Sequence, residues 1–519
     1  MKHLFATIML LSGYFCLWAQ KDTVELGSIS IYAARTPNKY ANTARLVKVI
    51  GKEEIAATTA QSLPELLEGA LNMDIRQRGA DEVQSDINMA GGSFEQVAIL
   101  LNGIKLNDPQ SGHHHLNLPI APEDIERIEI FSGTTGRVHG ANAFSGAINI
   151  ITTKVDKNFF KARLSGGQYH FLNGGFSAGF NYDNYSSFVS LSSKNSDGYT
   201  KNTDFNITNL YYSLKNKQDF GSFTLQMGYK DKSFGAQSFY TPKYPNQFEQ
   251  TKTTFAALNF ESNTLVKLNS HVFWRRNQDR FELFRTSPPS WYKHHNYHLT
   301  DVYGADINAS YEYKKWASAI GLEYRSENIL SNVLGNQLTD TMAAPGEPLG
   351  FFTKSAYRNS LQTFVESKIK MNRFDLNGGL FSIFYSDFDW KLMGGIDLIY
   401  HISNGVSAYA NYNQSIRLPS FTDLYYQGPT NVGNKYLKPE KAEHYEVGLK
   451  WLHQSIDLQS NVFYRKGTNI IDWVRITNQD LWQSANITTL NTYGAAIQLK
   501  IHLNSIFDDN FLIQNFTIN

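Results

Sequence analysis

From about residue 159 onward, apolar and polar side chains alternate with a period of two, in segments of roughly ten residues. Tyr445, Val447, Leu449 and Trp451 share one side of such a segment, and His444, Glu446, Gly448 and Lys450 share the other. Phe223, Leu225, Met227 and Tyr229 oppose Thr224, Gln226 and Lys230 in the same way. Tyr493, Ala495, Ile497, Leu499 and Ile501 oppose Gly494, Gln498, Lys500 and His502, and Ala309, Tyr311 and Tyr313 oppose Ser310, Glu312 and Lys314. Because successive strand side chains point to opposite faces, the pattern predicts long strands with one apolar face and one charged face. A soluble sandwich also alternates. Three further features favour a membrane: the segments are long, their ends are rich in Tyr, Trp and Phe, and the connections alternate in length. Short joints fall at 216–220 and 313–316, and long ones at 276–300 and 326–357. Transmembrane barrels combine short turns, long outer loops and aromatic girdles in this way. Lipid offers backbone amides no partner, so an edge-free barrel is the sheet that can span it.

The first part of the chain follows a different pattern. Residues 1–20 have a short polar start at Lys2 and His3, an apolar stretch and Ala19 as a small residue for cleavage, which reads as an export signal. That run is shorter than the roughly 20 apolar residues of a spanning helix, and no stretch of that kind follows. Residues 41–154 predict a compact α/β unit. Leu46 to Ile50 reads as a strand, Gly51 opens a helix, and Ser62 with Glu65 forms a capping box for a second helix. Asn102-Gly103 after an apolar strand predicts a tight hairpin, and Ile125 to Phe131 and Ala147 to Ile151 read as strands around a glycine-punctuated loop.

Composition adds two points. Lys+Arg of 48 against Asp+Glu of 47 gives a net charge of +1, so no basic excess points to nucleic acid. Aromatic residues make up 14%, high for a chain of negative mean hydropathy, and suit surfaces with one wet and one dry side. Cys16, the one cysteine, lies inside the export signal, which leaves the mature chain without a thiol. No G-x-S-x-G, H-E-x-x-H or Cys/His constellation points to catalysis, and no P-loop points to nucleotide-driven work. The reading is therefore of a non-enzymatic protein without a cofactor.

Four stretches of the first region resemble the TonB-dependent receptors, in their cobalamin and iron-chelate branch. They are Ser28-Ile-Ser-Ile-Tyr-Ala-Ala-Arg-Thr-Pro; Leu63-Pro-Glu-Leu-Leu-Glu with Met73-Asp-Ile-Arg; Val97-Ala-Ile-Leu-Leu-Asn-Gly-Ile-Lys-Leu-Asn-Asp; and Ile125-Glu-Arg-Ile-Glu-Ile with the run from Gly136-Arg-Val-His-Gly to Thr152. Further on, Ile416-Arg-Leu-Pro-Ser-Phe-Thr-Asp-Leu-Tyr-Tyr and Leu437-Lys-Pro-Glu-Lys-Ala-Glu-His-Tyr-Glu-Val-Gly-Leu-Lys also look like the family. The resemblance implies a mainly-β fold: a transmembrane antiparallel β-barrel of about twenty-two strands, occluded by an N-terminal α/β plug. Residues 21–40 become a TonB-box segment and linker, 41–154 the plug and 155–519 the barrel. About sixteen strands fit the barrel region, and its end lacks the terminal aromatic of such barrels. The chain is thus expected to stop short of a full barrel and not to insert stably alone. It also lacks the family's Arg-Gly before the Val97 strand and its Arg-Gly-Pro after the Ile125 strand, reading Met89-Ala-Gly-Gly and Ser132-Gly-Thr there. Plug–barrel ion pairing is expected to be rewired accordingly.

The resemblance further implies a cell outer-membrane location, bathed by outer-membrane lipid, and import of a small-molecule ligand. The cargo would be cobalamin or a related corrinoid, or alternatively an iron chelate (ferric siderophore) or haem; a receptor that binds without importing is the runner-up. Work would come from TonB and its inner-membrane energising complex, by strand addition to Leu26, Gly27, Ser28, Ile29, Ser30, Ile31 and Tyr32. An ordinary first plug strand is the competing reading of that segment. Ligand contact is expected from the loop carrying Asn107, Asp108, Gln110, His113, His114 and His115. Histidines suit transition metals, but three neighbours on one loop seldom reach one ion, and no metal site is assigned. Trp291, Tyr292, His294, His295, Tyr297 and His298 are read as rim residues of an outer loop, and Asp301 and Asp306 lack calcium-loop spacing.

Overall fold

A computed structural model describes residues 30–31, 35, 38–475, 477, 481–503 and 515–518. From Phe159 on, the chain is one sheet of nineteen strands running in sequence order, antiparallel apart from a short parallel contact of Asn431–Val432. Asn431–Val432 and Asn515–Ile518 are short pieces, Phe159–Gly166 and Asn336–Ala343 have 8 residues each, and the other fifteen, of 11 to 21 residues, are the long strands that alternation predicts. Among the described residues, Phe159–Gly166 and Asn515–Ile518 lie at the two edges of the sheet.

The sheet is inverted relative to a water-soluble one. Tyr445, Val447, Leu449 and Trp451 are 42–53% exposed, whereas His444, Glu446 and Lys450 on the opposite face are 1–3% exposed. Phe223, Met227 and Tyr229 are likewise exposed against buried Gln226 and Lys230. In water this arrangement would be unfavourable on both faces, since apolar area stays wet while charge is desolvated. Lipid outside and a polar interior remove both penalties. Tyr412, Tyr445, Tyr464 and Tyr493 face one another across four neighbouring strands, with ring centroids 4.9, 6.1 and 5.0 Å apart, and form a stretch of aromatic belt. Among the described residues no helix is long and apolar enough to cross a membrane.

The connections differ from the sequence reading in one respect. The two-residue joints at 219–220 and 314–315 are as short as expected, but strand takes up much of the long connections. Val266–Glu282 pairs with Asn296–Tyr313, which leaves only residues 283–295 as loop. Spanning takes about ten residues, so strands of 17 to 21 residues rise well beyond the apolar band. There both faces are wet or polar, as at Gln278, Asp279 and Arg280, and the period-two contrast that marks a strand is lost.

Against the inner face sits a mixed five-stranded sheet, in the order Val47–Gly51, Ile125–Ser132, Gly146–Thr152, Val97–Leu101, Ile104–Lys105. Val97, Ile99, Leu101, Ile128, Ile148 and Ile150 form its sealed core. Asn102 and Gly103 both have positive φ, 50° and 85°, as the predicted tight hairpin demands. Helix Leu63–Glu68 starts at Ser62, whose Oγ accepts from Glu65 N at 3.4 Å. Only half of the expected box forms, because the Glu65 carboxylate accepts from Gln61 N (2.7 Å) instead of from Ser62. Ser30–Ile31 pairs with Asn38–Lys39, while Leu26, Gly27, Ser28, Ile29 and Tyr32 lie outside the described residues, as do residues 1–20.

Buried ion pairs join the two parts. Arg137 of the helical turn Gly136–His139 bonds Glu366 and, at 2.5 Å, Asp397 on the barrel wall. Arg417 binds Asp423 (2.5 Å), Glu440 (3.0 Å) and Glu95 of the plug. Lys194 meets Asp81 at 2.8 Å, and Lys230 meets Glu82 at 3.3 Å.

Candidate ligand-binding site

On the side where the strands project, plug and wall enclose a cavity of about 580 Å³. Its floor comes from the plug (Arg78, Phe94, Gln110, Ser111, His113, His114), and its walls include Tyr240, Glu249, Asp279, Phe281 and His298. Trp291, Tyr292 and Tyr244 form the rim and join Phe284 in an edge-to-face cluster, with ring centroids 5.3 to 6.2 Å apart. A groove of about 590 Å³ among Ile320, Leu322, Phe364, Leu380 and Leu392 is instead almost wholly apolar and lies on the outward face of the sheet, the surface that lipid covers.

The loop singled out by the sequence divides in two. Gln110, His113 and His114 reach the cavity. His113 stacks on Phe94 with centroids 4.7 Å apart, and its Nδ1 lies 2.6 Å from Asp86 Oδ1. His114 turns its Nε2 toward Asp279 (3.5 Å) and its Nδ1 toward the Asn117 amide (3.3 Å). Burial pushes the His114 imidazole toward neutrality, but the bond to Asp279 and the surrounding carboxylates outweigh it and raise its pKa. Asn107, Asp108 and His115 do not line the cavity. Asn107 braces the neighbouring strand, accepting from Ile99 N (2.9 Å) and donating to Val97 O (2.8 Å). Asp108 is fully enclosed against Arg275 of the wall at 2.6 Å. His115 approaches Phe94 O at 3.2 Å, and burial holds its pKa down at about 4, so it is a neutral packing group.

Wall arginines and a wall helix fix this loop. Arg275 Nη2 donates to His114 O (3.4 Å), and Arg325 donates to Lys105 O and Asn107 O, both at 3.0 Å. On the other side the short helix Phe421–Tyr425, capped by Ser420 and Asp423, donates Phe421 N to Pro109 O (2.8 Å) and Thr422 N to Gln110 O (3.1 Å). Glu249, Asp279 and His298 were missed as site residues by the sequence reading, which placed His298 on the rim. Nothing local marks Glu249 or Asp279, since each is one charged residue on a polar strand extension. Arg417 and Glu440, which stand behind the site, sit within stretches whose family resemblance was legible.

The family described as TonB-dependent receptor-like β-barrel matches residues 155–518, and the TonB-dependent receptor plug domain matches residues 39–147. The chain is 23% identical over 471 residues to the vitamin B12 transporter BtuB of Photobacterium profundum, covering 85% of this chain and 70% of that one. It is 23% identical over 481 residues to BtuB of Vibrio vulnificus, covering 87% and 72%. Among solved structures, the ferric enterobactin receptor PfeA superposes with a TM-score of 0.71 at 14% identity, over 89% of this chain and 79% of that one. The Serratia marcescens hemophore receptor HasR, in complex with its hemophore HasA and heme, gives 0.71 at 14%, over 89% and 80%. The siderophore receptor PirA of Pseudomonas aeruginosa gives 0.67 at 16%, over 88% and 81%. At these identities the structural likeness establishes the fold.

Proposed function

The chain belongs to the TonB-dependent receptors, outer-membrane β-barrel proteins that transport rather than catalyse, and from that premise we propose that it imports cobalamin or a related corrinoid through the outer cavity. In this reading residues 1–20 are the export signal, 21–40 carry the TonB contact, 41–154 form the plug and 155–519 the barrel. The observation that carries it is the divided ownership of the cavity: Gln110, His113 and His114 come from the plug, and Tyr240, Phe281 and Trp291 from the wall. A ligand bound there touches both bodies, so its arrival changes the contacts that hold the plug. The aromatic rim offers flat amphipathic area at low entropic cost, as a macrocyclic ligand requires. The cobalamin choice rests on the vitamin B12 transporters among the sequence relatives. TonB then engages residues 26–32 as an added strand and supplies the pull.

A ferric siderophore or haem is the second reading. It draws on the ligands of the superposable receptors and on Arg78 beside the histidines at the floor, which suit an anionic chelate. Uptake of labelled cyanocobalamin by cells that carry this chain and lack another cobalamin receptor separates the two. Accumulation that excess ferric chelate leaves unchanged is the expected result, and accumulation of ferric chelate alone overturns the cobalamin assignment. Ile29→Pro removes a backbone donor from the strand that TonB would pair with. It is expected to abolish uptake and leave ligand binding intact, and surviving uptake would displace the TonB contact from residues 26–32.

A further inference from the structure

Where the cavity floor meets the wall, a ligand atom of His114, one of Glu249 and one of Asp279 lie within 4.8 Å of one another. His114 belongs to the plug, while Glu249 and Asp279 sit on adjacent wall strands, Asn246–Ser262 and Val266–Glu282. All three are buried, the carboxylates at 3% and 4% exposure. Buried carboxylates require a cation or full hydrogen bonding. Asp279 Oδ2 accepts from Gln110 Nε2 at 2.7 Å and faces His114, but Asp279 Oδ1 has no partner. Glu249 accepts from the neutral Tyr240 hydroxyl at 2.8 Å and, among the described residues, makes no ion pair. The outcome is an orphaned carboxylate oxygen, a second carboxylate and an imidazole converging on the edge of a cavity that a hydrated ion can enter.

We propose that His114, Glu249 and Asp279 bind a bare divalent first-row transition-metal ion. One imidazole and two carboxylates form a borderline-hard donor set that suits Zn²⁺ or Co²⁺ and leaves positions open for water or a further ligand. Because one donor belongs to the plug and two to the wall, the ion clamps the plug to the wall at the floor of the binding cavity. The site stands independently of the organic cargo assigned above.

The test uses the full chain in detergent without a polyhistidine tag, stripped with EDTA and titrated with CoCl2, read by its visible ligand-field absorption, and with ZnCl2 by calorimetry. The expected result is one saturable ion per chain. Asp279→Asn, Glu249→Gln and His114→Gln, each checked for native heat-modifiable mobility, weaken binding by at least about tenfold to a hundredfold, while His170→Gln, exposed and outside the cavity, leaves it unchanged. A second measurement needs no variant: ZnCl2 is expected to slow hydrogen exchange in residues 107–117 of the parent chain. Absence of saturable binding, equal affinity in the three variants, or unaltered exchange each overturns the proposal. If Co²⁺ registers only when supplied as a preformed chelate, the bare-ion assignment falls.

Discussion

Removing the Arg137 guanidinium tests whether buried charge holds the plug. Arg137 is 2% exposed and reaches Glu366 and Asp397 across the plug–wall boundary. Arg137→Ala leaves two buried carboxylates without their main cation, and breaking a buried pair from one side costs about 3–5 kcal/mol. Here the lower end applies, because other donors remain. Asn413 Nδ2 donates to Asp397 Oδ1 at 3.0 Å, Arg45 lies 3.7 Å from the same oxygen, and Arg35 N donates to Glu366 Oε1 at 3.0 Å. About 3 kcal/mol of docking free energy multiplies the undocked fraction on the order of a hundredfold, at about 1.4 kcal/mol per decade. An undocked plug opens a wide pore, so the readout is conductance of the purified receptor in a planar bilayer, or vancomycin sensitivity of cells expressing it. The triple change Arg137→Met, Glu366→Gln, Asp397→Asn removes the charges together and is expected to recover most of the closure, as neutral replacements of buried pairs generally do. If Arg137→Ala conducts no more than the parent, or the triple variant leaks more than the single one, the ionic account of plug retention is refuted.

Three further outcomes follow from the geometry. Gly228 on the wall carries no Cβ because one would sit 2.4 Å from Pro119 Cγ of the plug. Gly228→Ala is therefore expected to loosen the plug by about 1–3 kcal/mol, seen as faster proteolysis of plug peptides with barrel mobility on gels unchanged. Asp124 is buried enough that its pKa rises from 3.8 to about 6, despite accepting from Ala121 N and Ser190 Oγ. The folded state thus favours the protonated form, and the associated stability is present below about pH 4 and lost as pH rises through about 6, by on the order of 3 kcal/mol. Calorimetry at both ends of that window should show the parent plug melting lower at neutral pH and Asp124→Asn nearly flat; equal slopes would contradict the assignment. His115→Ala is expected to destabilise the plug and spare ligand affinity at low temperature, while His113→Ala, which strips a stacked ring from the cavity floor, lowers affinity; binding titrations and thermal melts on both variants decide it.

The barrel was legible because its environment imposes a simple rule on each residue: alternate side chains face lipid or the polar interior. Tyr445 to Trp451 follow that rule with no need of distant information. The hairpin at Asn102-Gly103 and the cap at Ser62 were legible for the same reason, since the chemistry that sets them is local. Legibility failed where both faces became polar, at Gln278 to Arg280, and a paired strand was taken for loop. It failed again in the site, where the decisive pairings join residues far apart: Gln110 meets Asp279 across 169 positions of sequence. The loop from Asn107 to His115 was singled out by its histidines as a candidate for ligand contact. Its six candidates could not be divided between cavity and interior, because that division depends on where Arg275, Arg325 and helix Phe421–Tyr425 grip it.

Those grips also bear on how a plug can be both tight and movable. The interface combines ion pairs and hydrogen bonds, Arg137–Asp397, Arg417–Glu95, Lys194–Asp81 and Arg325 to plug carbonyls, with apolar contacts such as Val83 against Phe205 and Phe234 of the wall. Such pairs gain little net free energy over water, because desolvation offsets attraction, yet each is strict about geometry and costly to break singly. A plug held this way sits in one register and does not drift out. When a pulled segment moves several groups at once, water can replace the lost partners, so the work required stays far below the sum of single-residue penalties. An interface of packed Leu and Phe alone would invert that balance, forgiving of small shifts and expensive to part. The two barrel stretches that resemble the family supply Arg417 and Glu440, which pair with each other; Arg417 also meets Glu95 of the plug, and Glu440 accepts from Gln96 Nε2. Those stretches thus help to hold the plug, and Thr422, Asp423 and Tyr426 of the first of them also line the cavity.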